Sequence, residues 1–421
     1  MKKTLGALSL LGASALVLAG CSGGGTPAAE SAETGDLTVW LVGTDTPQDA
    51  RDYLKETFED ENEGWTLTIE EKTWADTADN YVAALSSNDA PDLVEVGNTQ
   101  APGFIAQGLF SDISGLQEDL GGDDLLQSFV ELGSEDGTLY AAPYYAGSRV
   151  VFYSPASYDG AVPTTLEEYV QAGVDATTDS KSGIYAPGKD WYNALPYVWA
   201  NGGEIATLDG DQWTGGFSSE GGIAGLEMLQ EVYENATIAP ADGDEADPQV
   251  PFCAGEIGFL SAPAWVKWSI LAPADAETAP GCPDEAGKDL KAFALPGTSA
   301  GEVAPVFAGG SNIAVAAKSD AQDKAQAALS IILSEGYQKI LAENGLIPAL
   351  ASFAQYLPDD EITAEAAKAA ASSKAVPASP NWAEVESSGV IKDALVKIAQ
   401  GGDVTAIATE LDGQIEAILN K

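Results

Sequence analysis

The run Leu37-Thr38-Val39-Trp40-Leu41-Val42, bounded by Gly35 and Gly43, is apolar at nearly every position rather than at alternate ones. A strand of this kind is buried on both faces, so its sheet needs helices above and below it. The next residues supply them. Thr46-Pro47 opens a helix with Ala50, Tyr53, Leu54, Thr57 and Phe58 on one face. Leu67-Thr68-Ile69 is a second strand, a helix around Tyr81 to Leu85 ends near Asn88, and Pro91 to Val96 is a third strand stopping at Gly97-Asn98-Thr99-Gln100. The alternation predicts an α/β fold with a parallel sheet and helices on both faces. Ligands of such sheets bind beyond the carboxyl ends of the strands, which points at Gly43-Thr44-Asp45 and at Asn98-Thr99-Gln100. Asn98 is equally placed to cap the helix that follows.

Further on, Gly137 to Tyr145 and Ser148 to Tyr153 read as two extended segments. A helix begins at Leu166, with Thr164 or Thr165 as cap, and another spans Ile223 to Tyr233. Glu256 to Leu260 is a strand running into Ser261-Ala262-Pro263-Ala264-Trp265. Gly309-Gly310-Ser311-Asn312 leads into the strand Ile313 to Ala316. The next helix places Ala325, Ala328, Leu329 and Ile332 on one face and closes at Asn344-Gly345. Ile391, Ala394, Leu395 and Ile398, then Val404, Ile407, Leu411, Ile415 and Ile418, mark two terminal amphipathic helices. There is no internal repeat.

The start of the chain sets its compartment. Lys2-Lys3, the apolar run Leu5 to Leu18 and Leu18-Ala19-Gly20-Cys21 form a secretory signal peptide over residues 1–20. The apolar run falls short of the roughly 20 residues needed to span a bilayer. L-A-G-C matches the bacterial lipobox, which makes Cys21 the lipidated first residue of the mature protein; the alternative is an ordinary signal with an incidental cysteine. Residues 21–35 then read as a flexible tether. Removing the first 20 of 421 residues leaves 401, enough for two domains. The net charge of −46 becomes −48 once Lys2 and Lys3 leave. Such a chain binds neither nucleic acid nor anionic lipid through its surface, and no Lys/Arg cluster suits an acidic substrate. Cys253 and Cys282 remain as an even pair in an oxidising compartment, and a disulfide between them would stabilise the fold by about 3 kcal/mol; two buried thiols are the alternative.

The sequence contains no histidine, which removes Ser-His-Asp and Cys-His triads and most zinc and non-haem iron sites. Gly297-Thr298-Ser299-Ala300-Gly301 matches G-x-S-x-G but follows Pro296 in a loop, with no base to activate Ser299. The acidic residues Asp242, Asp244, Glu245 and Asp247 lack EF-hand spacing and read as a solvated loop. No metal or cofactor is expected. Among enzymes only paired-carboxylate glycoside hydrolysis survives, with Asp190 and Glu204 or Glu256 as the pairs to check.

The stretch Asp190 to Glu204 carries Trp191, Tyr192, Tyr197 and Trp199 among Asp190, Asn193 and Asn201. Flat apolar faces beside amides and carboxylates suit a sugar ring, which offers a C–H face and a rim of hydroxyls. Tyr197 and Trp199 read as the core of the helix that follows, which leaves Trp191, Tyr192 and Asn193 as the part of the stretch that suits a sugar. Trp40 is open to either reading, and Trp74 and Trp268 read as packing.

The order of motifs resembles the extracellular solute-binding proteins of carbohydrate-uptake ABC transporters, the broad maltose-binding-protein-like family. The resemblance rests on P-D-L-V-E-V with A-P-G-F-I-A-Q-G-L-F-S-D-I (91–96 and 101–113), G-T-L-Y-A-A-P-Y-Y (137–145), G-E-I-G-F-L-S-A-P-A-W (255–265) and G-G-S-N-I-A-V (309–315) followed by N-G-L-I-P-A (344–349). It implies a two-lobed periplasmic-binding-protein fold, each lobe a mixed sheet flanked by helices, with crossovers near 146–149, 308–311 and 350–375. Lobe 1 would comprise 36–147 plus 309–352, and lobe 2 would comprise 148–308 plus 353–421. The implied role is capture of a di- or oligosaccharide, hinge closure and delivery to the transmembrane subunits of a permease by a monomer held at the outer face of the membrane through its lipid. E-V-G-N-T, the Asp190–Glu204 stretch and P-A-S-P-N-W are most similar to actinobacterial disaccharide and chitobiose-type binders. By the same resemblance Trp265 is the stacking Trp after the gating strand, and Trp382 is a late aromatic of the second lobe. Trp191, Tyr192 and Asn193 form a cleft segment, Asn98 and Thr99 end the third strand, and Ser311 and Asn312 lie at a crossover. Arg149 would bond hydroxyls or fix the hinge, and in a peptide binder it would instead clamp a carboxylate.

Overall fold

The strand β1 (Gly35–Val42) carries two cores. Leu37, Val39 and Leu41 enter one with Leu54, Phe58 and Leu329, and Val42 enters the other with Val94, Val96 and Phe104. The computed structural model describes residues 34–421 apart from 44, 75–79, 246, 273, 275–280, 283–288 and 308. The expected signal peptide, Cys21 and most of the tether lie outside these residues. Gly35, expected to end the tether, is instead the first residue of β1.

The remaining strands are β2 (Trp65–Lys72), β3 (Leu93–Gly97), β4 (Ser134–Glu135), β5 (Thr138–Leu139), β6 (Ala141–Gly147), β7 (Arg149–Tyr153), β8 (Ser182–Ile184), β9 (Ala206–Asp209), β10 (Gln212–Gly215), β11 (Ile257–Pro263), β12 (Lys291–Phe293), β13 (Gly309–Val315) and β14 (Ile347–Pro348). A six-stranded sheet has the order β14-β6-β13-β3-β1-β2, and a four-stranded sheet the order β12-β7-β11-β8. β1 pairs in parallel with β2 and β3, as the β–α–β alternation predicts. The sheet is mixed, as the resemblance implied: β13 returns from far along the chain and pairs antiparallel with both β3 and β6. Local periodicity carries no information about such a return.

Ser148 alone separates β6 of the first sheet from β7 of the second. The second sheet is covered on one face by the helices Leu166–Ala176, Trp191–Ala200 and Glu220–Glu231 together with the terminal helices Trp382–Ser388, Val390–Ala399 and Val404–Leu419. Its other face packs on Phe252, Ile270, Ile362 and Ala366. Beside that core Cys253 and Cys282 are joined in a disulfide with Cα atoms 4.5 Å apart. Thr165 caps its helix by accepting from the Glu168 amide. The single helix expected to run to Asn344 is two, Gln322–Ile332 and Glu335–Glu343, because the Ser334 side chain accepts from the Tyr337 amide and starts a new helix.

A polar network lies inside the first core. Glu95 on β3 is fully buried and accepts from the Val42 amide at 2.8 Å and from the Tyr145 hydroxyl at 2.8 Å. Next to it the Tyr144 hydroxyl bonds Thr46 at 2.7 Å and Tyr337 at 2.6 Å. Burial pushes the Glu95 carboxyl up to about 7, against the hydrogen bonds that favour its charge. A raised folded-state pKa gives stability that is present below the unfolded value near 4.5 and lost as pH rises through about 7. At 1.36 kcal/mol per unit the change amounts to roughly 3 kcal/mol. Urea unfolding at pH 5 and pH 8 should therefore show Glu95→Gln improving relative to wild type by up to that amount on going to pH 8. A constant difference between the two proteins would rule out ionisation of Glu95 in this range.

Candidate functional site

A cleft of about 830 Å³ opens between the two sheets, within the size range of small-molecule sites. One wall comes from the carboxyl end of β3 and the helix after it: Asn98, Thr99, Gln100, Phe104 and Gln107, with Trp74 beside them. The other comes from Arg149, Trp191, Tyr192, Glu245, Trp265, Glu386 and Lys392, and Phe307, Gly309 and Gly310 form its base near the crossover. Asn98 lines the cleft and does not cap the next helix, whose cap position is held by Gln100.

Arg149 is the first residue of β7, and its side chain is only 7% exposed. Its Nη1 and Nη2 donate to the two oxygens of Glu245 at 2.8 and 3.0 Å, and Nη1 also donates to Asn193 Oδ1 at 3.3 Å. The guanidinium carbon lies 5.0 Å from the centre of the Tyr192 ring. Burial works against the guanidinium charge, but the carboxylates of Glu245 and Asp190 outweigh it and raise the pKa. Glu245, expected in a solvated loop, is thus a bidentate partner at the cleft.

Asp190 caps the helix Trp191–Ala200 by accepting from the Asn193 amide at 3.1 Å, and its second oxygen accepts from Asn193 Nδ2 at 2.6 Å. Burial, then the neighbouring Glu245 charge, push Asp190 up to about 7 against the pull of Arg149. Asn193 also donates to the Ser261 carbonyl and accepts from the Ser261 hydroxyl. It is absent from the cleft lining and lies behind Arg149, because its amide is consumed by these partners.

The aromatics sort into two rows. Tyr192, Phe307, Trp265 and Trp74 reach the cleft, and Trp74 is 42% exposed. Trp191 lines it only by an edge: it is 3% exposed, with its ring 4.3 Å from Tyr192, 5.6 Å from Phe307 and 6.1 Å from Trp382. Trp382 is fully buried behind Trp191 and contacts no cleft space, a correction to its expected role. Tyr197 and Trp199 are in the core. Trp40 also departs from a cleft role, packing 5.3 Å from Tyr81 with the Lys72 ammonium over its ring. Trp74 and Trp268, expected to pack, are 42% and 51% exposed.

Ser311 and Asn312 are fully buried, not at the cleft. Asn312 Nδ2 donates to the Phe129 and Ala141 carbonyls, both at 3.0 Å, which fixes the bulged β13–β6 register. The two glycines before them line the cleft in their place. Asp45 does not line the cleft. The carboxylate pairs expected of a hydrolase are not assembled: Asp190 is buried behind the wall, Glu204 pairs with Lys374, and neither Glu204 nor Glu256 reaches the cleft.

Contacts between described residues join the walls. The Thr99 hydroxyl donates to Glu386 Oε2 at 3.3 Å, and burial pushes the Glu386 carboxyl up to about 7 despite Thr99 and the nearby Lys392 charge. Trp265 leans on the crossover so closely that a Cβ at Gly147 would lie 1.8 Å from its Cζ3.

The model of the family described as "Bacterial extracellular solute-binding protein" matches residues 54–371. The chain belongs to that family. Among relatives of this solute-binding protein is the diacetylchitobiose binding protein DasA of Streptomyces coelicolor, 31% identical over 388 residues, which cover 90% of this chain and 88% of the relative. The GacH receptor of Streptomyces glaucescens has the same fold at a TM-score of 0.77 and 20% identity, covering 92% of this chain and 99% of the other. The sugar-binding protein MalE from Xanthomonas citri matches at 0.77 and 18% identity, over 91% and 97% of the two chains. The family binds solutes outside the cell and is not enzymatic.

Several lining residues of this solute-binding protein escape sequence reading. Glu245 hides in an acidic loop, Phe104 reads as a core residue of its helix, Gln107 follows the end of that helix, and Lys392 lies on a helix whose pattern reports only its buried face. Phe307 stands two residues before Gly309 of the crossover and had that much signal.

Gly147→Ala should unseat the Trp265 ring and weaken ligand binding by roughly tenfold, about 1.4 kcal/mol. If the seat is the mechanism, Trp265→Ala with Gly147→Ala will bind no more weakly than Trp265→Ala alone, as calorimetry can determine. Trp191→Ala and Trp382→Ala should each cost about 3–5 kcal/mol of stability, because both rings are buried.

Proposed function

We propose that this extracellular protein captures a di- or oligosaccharide in the cleft and delivers it to the transmembrane subunits of an ABC transporter. The observation that carries the reading is the pairing of Tyr192, Trp265, Phe307 and Trp74 with the amides and hydroxyls of Asn98, Thr99, Gln100 and Gln107 around one cleft. Aromatic faces supply stacking area for the C–H faces of sugar rings, and the polar groups orient the hydroxyl rim. The DasA relative, named for diacetylchitobiose, makes an N-acetylated disaccharide the first ligand to try. Lobes formed by 36–147 plus 309–352 and by 148–308 plus 353–421 would close over the sugar by hinge motion through Ser148 and the other crossovers. The protein would act as a monomer held to the membrane through lipid on Cys21.

The ligand contacts assigned to this reading are Asn98, Thr99, Tyr192, Trp265 and the edge of Trp191, with Arg149 supporting the Tyr192 ring. A thermal-shift panel of chitooligosaccharides, maltooligosaccharides, monosaccharides, amino acids and peptides tests it. A true ligand at a hundred times its Kd stabilises the native state by about 2.7 kcal/mol. N,N′-diacetylchitobiose or another short oligosaccharide should give the largest rise in Tm. A rise with an amino acid or peptide, and none with any glycan, would refute the carbohydrate assignment.

A further inference from the structure

Among the described residues, the charged groups that line the cleft are two cations, Arg149 and Lys392, and two carboxylates, Glu245 and Glu386. Arg149 is the group best arranged to receive an anion, since it is buried, fixed and directed at the cleft wall. Buried guanidiniums of this sort recognise carboxylate, sulfate or phosphate through two parallel hydrogen bonds. Here that bidentate position is already taken. Both Glu245 oxygens occupy it at 2.8 and 3.0 Å, Asn193 takes a further bond, and the Tyr192 ring covers one face.

Glu245 comes from a loop 96 residues along the chain and keeps 30% of its side chain exposed beside the cleft. A carboxylate needed only to neutralise Arg149 could be buried with it; this one faces the space a ligand would fill. Across the cleft Glu386 adds a second carboxyl, bonded to Thr99. An anionic ligand would meet no uncommitted fixed guanidinium, a like charge at contact distance, and the net charge of −46 on the whole chain. A neutral ligand meets the compensated Arg149–Glu245 pair, whose remaining lone pairs accept hydroxyls.

We propose that Glu245 is a specificity-determining residue that closes the Arg149 anion site and so restricts the cleft to uncharged sugars, excluding uronates and sulfated or phosphorylated glycans. This rests on the carbohydrate reading above. Removing the Glu245 charge turns Arg149 into an open carboxylate receptor without altering the aromatic walls.

The test is calorimetric titration of the intact protein with N,N′-diacetylchitobiose and with the matching disaccharide in which one C6 is a carboxylate. Wild type should prefer the neutral sugar by at least about tenfold, and Glu245→Gln should reduce that ratio at least tenfold by gaining affinity for the uronate. Glu245→Asp, which keeps the charge, should retain most of the preference. The double variant Arg149→Gln/Glu245→Gln removes the pair as a unit and leaves Asp190 to its bonds with Asn193, and its ratio should fall part of the way. It carries the test if Glu245→Gln fails to fold. Equal binding of the two sugars by wild type overturns the proposal. So does an unchanged ratio in Glu245→Gln, or in the double variant, or loss of both affinities in proportion, which is what a merely structural Glu245 predicts. Wild type that binds neither these disaccharides nor any neutral glycan defeats the carbohydrate reading itself, and the proposal with it.

Discussion

A guanidinium buried at the point where the chain passes from one sheet to the other has to be matched, and much of the cleft follows from how Arg149 is matched. Ser148 leaves no room to move it away from the crossover, and β7 pairs with β11 from Arg149 opposite Pro263. Glu245 neutralises it, Asn193 accepts from it, and Asp190 holds Asn193 by two bonds while capping the helix that carries Trp191 and Tyr192. Removal of one partner from such a group costs about 3–5 kcal/mol because the other charge is left uncompensated. The aromatic wall is therefore locked to the crossover through charge, and any motion there carries Tyr192 with it.

Carboxyls set against burial recur at places where rigidity matters. Glu95 fastens β3 to β1 and β6, Asp190 fastens the aromatic helix, and Glu386 meets Thr99 across the cleft. Burial pushes each to about 7, yet each is retained with hydrogen-bond partners. An apolar residue in place of Glu95 or Asp190 would avoid the desolvation cost but would lose the directional bonds that fix one element against another.

The sequence made the first sheet readable because β1 is apolar on both faces and its parallel neighbours follow at once. It also indicated Asn98 and Thr99, because strand ends in open α/β sheets are where ligands gather. Reading failed where the answer depended on a long-range partner. Trp382 and Asn193 carry the chemistry of a cleft, but Trp191 covers one and Asp190 with Ser261 consumes the other. Ser311 and Asn312 were displaced inward because a strand arriving from residue 309 is inserted between two others and bulges there. Trp74 and Glu245 failed in the opposite sense, being drawn to the cleft from stretches with no apolar pattern of their own.

The crossover between β6 and β7, the proposed hinge, is shaped by what is missing from it. At Gly147 there is no side chain, and the Trp265 ring occupies the space one would take. Trp265 is held in turn by the Ala264 amide, which donates to the Ser148 carbonyl at 2.8 Å. Rotation about Ser148 therefore moves a ring that lines the cleft, with no intervening linkage. On the opposite side the contact is slight: the Thr99–Glu386 bond is 3.3 Å long, and a Cβ at Gly103 would rest 3.4 Å from the Pro380 carbonyl. One side is thus tightly coupled and the other makes a weak polar latch, an arrangement in which a ligand bridging both walls has only a small energy to overcome in setting their separation.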